Sequence, residues 1–178
     1  ALTILKQLCN HPNLLSQNQQ KTKRIKDMVE ESGKLKFLQL LLKQLYVEKH
    51  RVLIFSQSVQ MLNIISKLLD LHCYSHLQID GSITDSRERQ RLIDEFNAKD
   101  SKHFCFLLTS QVGGFGITLT SADRVVIFDP SWNPAVDSQA VDRAYRIGQT
   151  KNVIVYRLIT CGTIEEKVGP FMLCIGIL

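Results

Sequence analysis

Apolar residues follow two alternating patterns along most of the chain. Short runs rich in strand-forming residues predict buried strands over residues 51–56, 76–80, 104–109, 124–129 and 153–160. Between them, apolar positions recur every three or four residues, which predicts helices over residues 34–46, 61–69, 87–97 and, beginning at a proline, 134–146. Apolar strands separated by helices are typical of a parallel sheet covered on both faces. The sequence therefore predicts a doubly wound α/β fold with a mostly parallel sheet.

The first 32 residues follow a different pattern. Apolar residues at helical spacing predict a short amphipathic helix over residues 1–9, whereas residues 16–31 are polar and charged and predict a linker. The basic stretch within that linker is explained more simply as solvated chain than as a nucleic-acid contact. We accordingly divide the chain into a helix and linker over residues 1–32, a main domain over residues 33–168 and an apolar tail over residues 169–178.

Composition and charge narrow the class of protein. The chain has 178 residues, of which 44% are hydrophobic and 22% charged, as in an ordinary globular domain. Its net charge of +5 permits a polyanionic partner without requiring one. The five cysteines are widely spaced and form no CxxC pair, which predicts reduced thiols in an intracellular compartment. No apolar run reaches the roughly 18 residues that a membrane span needs, and no secretory signal is visible.

Polar and glycine-rich segments follow the predicted strands. Ser56 ends the first strand, Gly81 follows the second, Thr109 and residues 110–116 follow the third, and residues 129–134 follow the fourth. Ligands of parallel sheets bind beyond the carboxyl ends of the strands, so we expect one working edge built from several loops. The GGFG stretch would let backbone amides approach a phosphate. A tight packing turn explains these glycines equally well, because their spacing matches no stand-alone nucleotide motif.

Two arginines lie in the predicted helix that follows this edge. Arg143 and Arg146 are three residues apart and therefore share a helix face, and Gln139 lies four residues before Arg143. Two guanidinium groups on one face repel each other unless an anion lies between them, and their fork shape suits phosphate oxygens. From spacing alone, a pairing of Arg146 with Asp142 beside an exposed Arg143 is the favoured alternative.

Two further residues of the same edge allow two interpretations each. Trp132, the single tryptophan, is either an anchor of its proline-flanked loop or a contact to nucleic acid. Asp129 is explained more simply as a turn or helix cap than as a base or metal ligand. The five histidines are scattered and no carboxylate is spaced to complete a cluster, so we predict no metal site.

Four segments, in this order and spacing, resemble motifs four, four-a, five and six of Swi/Snf-type DNA translocases, which are ATPases of helicase superfamily two. They are RVLIFSQS, IDGSITDSRERQRLIDEFN, FLLTSQVGGFGITLTSADRVVIFDPSWNP and QAVDRAYRIGQT. The resemblance covers residues 1 to about 168. The phrases FDPSWNPAVDSQAVDRAYRIGQ and VYRLITCGTIEEKV are most similar to the excision-repair-like subgroup that includes the Cockayne-syndrome-B protein. The resemblance implies a RecA-like helicase C-terminal lobe.

The resemblance also implies a role for several residues. In the family, ATP with Mg²⁺ binds between two RecA-like lobes and is held mainly by the first lobe. Arg143 and Arg146 match the arginine fingers of the second lobe, which stabilise charge on the transferred phosphoryl group. Gln139 matches the glutamine beside these fingers, and Gly114 and Gly116 match the motif that connects the nucleotide cleft to DNA.

Further positions match the track along which the family holds DNA. These are Ser56, Gly81, Arg89, Thr109 and Trp132. Hydroxyls, loop amides and an arginine suit backbone phosphates, so the implied binding tolerates any sequence and weakens with salt. The implied partners are double-stranded DNA, with nucleosomes as a further candidate, and the first lobe of the same parent chain, with no membrane partner.

The implied function is that of the second motor lobe of an ATP-dependent double-stranded-DNA translocase or chromatin remodeller in the nucleus. The sequence contains no GxxxxGK[ST], so we expect a DNA-dependent ATPase only as part of a longer parent. The alternative is a truncated DNA- or protein-binding module without ATPase activity. Where the family continues into a basic helical brace, this chain has GPFMLCIGIL, which puts motor coupling in doubt.

Overall fold

The computed structural model of the chain describes residues 2–15, 24–110, 117–168 and 176–177. The helices are α1 (Leu2–Asn10), α2 (Ile25–Glu30), α3 (Gly33–Val47), α4 (Val59–Leu71), α5 (Ser86–Asn97), α6 (Pro134–Val141) and α7 (Ile164–Val168). The strands are β1 (Val52–Ser56), β2 (His76–Ile79), β3 (Cys105–Thr109), β4 (Arg124–Ile127), β5 (Ile154–Arg157) and β6 (Gly176–Ile177). Within the described ranges, no helix is long and apolar enough to cross a bilayer.

The sheet has the strand order β2-β3-β1-β4-β5-β6. Strands β1 to β5 are all parallel, and the two-residue β6 pairs antiparallel with β5. From β1 the chain turns towards β2, whereas from β4 it turns the other way, towards β5. In open α/β sheets, such a switch of direction leaves a crevice at the carboxyl ends of the two strands. The predicted doubly wound, mostly parallel α/β fold is confirmed.

Helices cover both faces of the sheet. Within β1, Val52 and Ile54 pack in a layer with α2, α3 and α4, whereas Leu53 and Phe55 pack in a second layer with α5 and α6. Every residue of β1 is buried. Apolar residues at successive positions of a central strand are therefore explained by burial on both faces.

A short helix lies inside the segment predicted as a linker. Helix α2 spans Ile25–Glu30, and its Met28 and Val29 are almost fully buried against the α3 and α4 layer. Part of the segment predicted as a polar linker therefore forms a helix that packs on the core, which the sequence pattern did not predict.

Helix α6 is shorter than the predicted helix over residues 134–146. It ends at Val141, and the chain continues as a series of turns. The Arg143 carbonyl accepts the Leu119 N–H at 2.8 Å, and the Ala144 carbonyl accepts the side-chain amide of Gln149 at 3.1 Å. These carbonyls are satisfied by distant donors rather than by a continuing helix. Arg143 and Arg146 therefore lie on turns and not on a helix face.

Candidate functional site at the carboxyl edge of the sheet

Asp129 connects the ends of β1 and β4 at the crevice between them. Its two carboxylate oxygens accept the Gln57 N–H at 3.0 and 3.1 Å, and its own carbonyl accepts the Gln57 side-chain amide at 2.9 Å. Burial raises the pKa of Asp129 to about 6, against the opposite effect of hydrogen bonds from Ser56 and Gln57. These contacts make Asp129 a bridge between strand ends. Among the described residues, no group of three or more histidine, cysteine or acidic side chains could hold a metal ion.

A buried lysine connects three distant segments beside this crevice. The Lys34 ammonium group, on the first turn of α3, donates to Asn10 Oδ1 at 3.0 Å, to the Phe128 carbonyl at 3.0 Å and to Glu165 Oε1 at 2.6 Å. The side chains of Lys34 and Glu165 are only 5% and 2% exposed. Burial lowers the pKa of Lys34, and the Glu165 carboxylate opposes that effect. Sequence reasoning missed this ion pair.

The loop that carries Trp132 is held at several points. The Ser131 N–H donates to both carboxylate oxygens of Asp137 at 3.1 Å, and the Pro130 carbonyl accepts the ammonium group of Lys6. The same ammonium group lies 5.5 Å from the centre of the Trp132 ring. Trp132 itself is 49% exposed, so about half of its side chain is accessible while the loop backbone is held in place.

The five residues that match a DNA track differ in accessibility. Ser56 and Thr109 are partners in the β1–β3 register, and both are buried. The Ser56 hydroxyl accepts the Ser58 N–H at 3.2 Å. Gly81 is exposed with open space around it, and the partly exposed Arg89 donates to the Thr84 carbonyl at 3.1 Å.

The topology places these positions along one edge. Gly81 follows β2 and Trp132 follows the end of β4, and these strands are three positions apart in the sheet, which is about 14 Å. Ser56 and Thr109 lie between them, at the ends of β1 and β3. The accessible members of the set are therefore Gly81, Arg89 and Trp132.

The two arginines are close together on the turns after α6. Arg146 Nη1 donates to the Thr118 hydroxyl at 2.9 Å. Arg143 is partly buried rather than simply exposed, and its Nε has no hydrogen-bond partner in the described part of the chain. Burial lowers the pKa of Arg143, the neighbouring charge of Arg146 lowers it further, and the Asp142 carboxylate opposes both effects. Two cations that repel each other form a favourable position for an anion.

The remaining predicted positions are less informative. Gln139 is exposed on α6, in the turn before the arginines. Gly114 and Gly116 lie outside the described residues. Thr118, which accepts from Arg146, was not predicted from the sequence, and its only signal is its place two residues after the glycine-rich stretch.

The comparisons with known proteins agree with this fold. The model of the helicase conserved C-terminal domain matches residues 33–148. The structure resembles the crystal structure of the C-terminal part of the Fun30 ATPase domain, with a TM-score of 0.78 and 41% identity over 93% of this chain and 52% of that one.

Several similar proteins are much longer than this chain. The DNA excision repair proteins ERCC-6-like of Danio rerio and Homo sapiens are 51% and 50% identical over 94% of this chain. Protein CHROMATIN REMODELING 24 of Arabidopsis thaliana is 46% identical over the same share. The chain spans 13%, 15% and 18% of these three relatives. The chain belongs to the helicase conserved C-terminal domain family, and its resemblance to the second RecA-like lobe of Swi/Snf-type proteins is confirmed.

Proposed function

We propose that this chain is the second motor lobe of an ATP-dependent double-stranded-DNA translocase or chromatin remodeller. The observation that carries the proposal is the arginine pair. Arg143 and Arg146 are close enough for one charge to lower the pKa of the other, and Arg143 Nε is buried without a partner in the described part of the chain. Two neighbouring guanidinium groups repel each other, and the unused Nε donor of the partly buried Arg143 supports an anion supplied from outside.

The anion of this proposal is the transferred phosphoryl group of ATP. Guanidinium groups form parallel hydrogen bonds to phosphate oxygens, and an arginine finger is typically worth about 10³–10⁵ in rate. ATP with Mg²⁺, which neutralises phosphate charge when bound, would be held mainly by a first lobe. Gln139 would lie beside the nucleotide, and Gly114 and Gly116 would line the cleft.

The DNA track of this proposal follows the carboxyl edge of the sheet. Gly81 has an exposed backbone, Arg89 provides a positive charge, and the Trp132 ring is about half exposed. Ser56 and Thr109 are buried at the adjoining strand ends, so their part in the track would require these ends to open. Contacts of this kind hold the phosphate backbone, and the binding should therefore be insensitive to sequence and sensitive to salt.

The parent would be a DNA-dependent ATPase of the nucleus, with nucleosomes as a further candidate partner. The names of the similar proteins, which refer to DNA excision repair and chromatin remodelling, support a chromosomal location. The chain alone is expected to hydrolyse ATP poorly, because its sequence contains no phosphate loop of the form GxxxxGK[ST].

The experiment that tests the proposal measures ATP hydrolysis by a protein that contains both lobes, with and without double-stranded DNA. We expect DNA to stimulate hydrolysis strongly and the stimulation to disappear when Arg143 and Arg146 are both changed to alanine. Stimulation that survives the double change would contradict the finger role. The Arg91→Ala variant is the matched control, because Arg91 is an exposed arginine paired with Glu88 and Glu95.

A second candidate is a DNA- or protein-binding module without ATPase activity. The observation in its favour is that Gly81, Arg89 and Trp132 are accessible without any contribution from a nucleotide. The two candidates differ in one measurement. A two-lobe protein that binds DNA but shows no hydrolysis under any condition would favour the binding module.

A further inference from the structure

We propose that helix α1 sets the position of the Trp132 loop, defined as residues 129–133, and that Lys6 and Asn10 are its positioning residues. The inference rests on the proposed function, because it assigns control of one part of the DNA track. It goes beyond that function by naming the segment that exerts the control.

Helix α1 contacts the Trp132 loop at three points. The Lys6 ammonium group donates to the Pro130 carbonyl and lies over the Trp132 ring, with 5.5 Å between the nitrogen and the ring centre. Asn10 Nδ2 donates to Asp129 Oδ2 at 3.3 Å. The loop is therefore held at its first residue, at its proline and at the indole by one helix.

Helix α1 is in turn anchored to the lobe by buried polar groups. Asn10 Oδ1 accepts Lys34 Nζ at 3.0 Å, and the Asn10 carbonyl accepts the Ser32 hydroxyl at 2.8 Å. Lys34 is fixed by its ion pair with Glu165 on α7. The helix before the main domain and the helix near its end thus meet at one ammonium group.

Helix α1 turns polar rather than apolar side chains towards the lobe. Its residues Lys6 and Asn10 are buried, whereas Ile4, Leu5 and Leu8 are 51%, 46% and 44% exposed. An amphipathic helix ordinarily turns its apolar stripe towards the core. Polar contacts are directional and act over short distances. A displacement of α1 would therefore break several of these contacts together and release the loop.

The test uses the single tryptophan as a reporter of the loop. In the Lys6→Met variant, which keeps the length of the side chain but removes its charge, we expect Trp132 to become more accessible to acrylamide. Amide exchange over residues 131–133 should rise about ten-fold, as for the loss of one charged hydrogen bond. The Lys6→Arg variant should restore both values, because arginine retains the charge and the donor. Unchanged quenching and exchange in Lys6→Met would overturn the proposal.

A second variant tests the anchor of α1 without leaving a buried charge unpaired. Replacing a buried ion pair by apolar residues is often neutral for stability. In the double variant Lys34→Met/Glu165→Leu, α1 and the Trp132 loop should exchange their amides about ten-fold faster while the lobe stays folded. The control is Lys36→Met. Lys36 lies on the same helix as Lys34, and this change removes its exposed ion pair with Glu30 of α2. A double variant with wild-type exchange in α1 and the loop would also overturn the proposal.

The functional consequence is measured in the two-lobe protein. Lys6→Met should lower kcat of DNA-stimulated hydrolysis about ten-fold and leave KM for ATP unchanged, because Lys6 is proposed to act on the loop and not on the nucleotide. A rise in KM at unchanged kcat would contradict this role. If the wild-type protein shows no DNA-stimulated hydrolysis, the proposed function fails, whereas fluorescence and exchange still decide the role of α1.

Discussion

Lys34 and the pair Arg143 and Arg146 are cations of the same lobe, but their surroundings are opposite. The Lys34 ammonium group is almost fully buried and has three hydrogen-bond acceptors, one of them the Glu165 carboxylate. Arg143 is affected by the opposite charges of Arg146 and Asp142, and its Nε is buried without a partner in the described part of the chain. The Lys34 ammonium group has a full set of acceptors, whereas the Arg143 guanidinium group has a donor atom that no described residue accepts from.

This difference predicts different roles for the two cation sites. A buried charge with a full set of partners contributes to folding only as long as every partner is present. A pair of like charges costs free energy in the empty state and gains it when an anion arrives. We therefore expect substitutions of Lys34 to lower the free energy of unfolding, and substitutions of the two arginines to lower the rate of ATP hydrolysis.

The largest expected effect is that of the arginines on hydrolysis. In a protein that contains both lobes, Arg146→Ala should reduce DNA-stimulated ATP hydrolysis by about 10³–10⁵ because the charge of the transferred phosphoryl group loses its partner. DNA affinity, measured by fluorescence anisotropy on a labelled duplex, should change little. Equal losses of both would make Arg146 an ordinary phosphate contact and remove the contrast with Lys34.

The next largest effect is that of Lys34 on stability. Lys34→Met leaves the Glu165 carboxylate buried without its cation and should lower the free energy of unfolding by about 3–5 kcal/mol. Lys36→Met, two residues along the same helix, removes an exposed pair and should cost less than about 1 kcal/mol. Urea unfolding of the two variants measures the difference. Equal costs would mean that the Lys34 pair is screened like a surface pair.

The sequence predicted the sheet better than it predicted the segments attached to it. The five parallel strands were predictable because a strand that is buried on both faces of a sheet consists of a continuous run of apolar residues. Helix α2 was missed because its stability comes from the core it joins, through Met28 and Val29. The end of α6 was misplaced because the deciding donors, Leu119 and Gln149, lie outside the helical segment.

In the candidate site, too, the sequence predicted local features and missed contacts between distant residues. That Arg143 and Arg146 lie near each other follows from their spacing and survives the change from helix to turns. The Lys34 cluster could not be predicted in this way, because its partners Asn10, Phe128 and Glu165 are 24, 94 and 131 residues away. Only the fold brings them together, so no local pattern contains them.

A third effect, of intermediate size, concerns the pH dependence of stability. Burial raises the pKa of Asp129 to about 6, whereas an aspartate in the unfolded chain has a pKa near 3.9. The native state thus binds this proton more tightly, and the contribution of Asp129 to stability falls as the pH rises from about 4 to about 6. The loss amounts to about 3 kcal/mol. Relative to wild type, Asp129→Asn should therefore become more stable over this range in urea unfolding.

Asp80 provides a control of opposite sign. Hydrogen bonds from Ser82 and Gln78 lower the pKa of Asp80, so its contribution is present above the unfolded pKa and is lost as the pH falls through the folded pKa. Asp80→Asn should be less stable than wild type at neutral pH, and this deficit should shrink on acidification. A stability difference for Asp129→Asn that follows the same direction as Asp80→Asn would show that burial does not dominate at Asp129.

The smallest expected effect is that of Thr118, which holds Arg146 beside Arg143. Thr118→Val keeps the shape of the side chain but removes the acceptor that lies 2.9 Å from Arg146 Nη1. One hydrogen bond of this kind contributes about 1 kcal/mol, so hydrolysis by the two-lobe protein should fall about five-fold. Thr118→Ser should restore the rate because it keeps the hydroxyl. If Thr118→Val instead raises the rate, the Thr118 contact holds Arg146 away from the phosphate, and the arginine pair would then resemble Lys34 in being partly restrained by the fold.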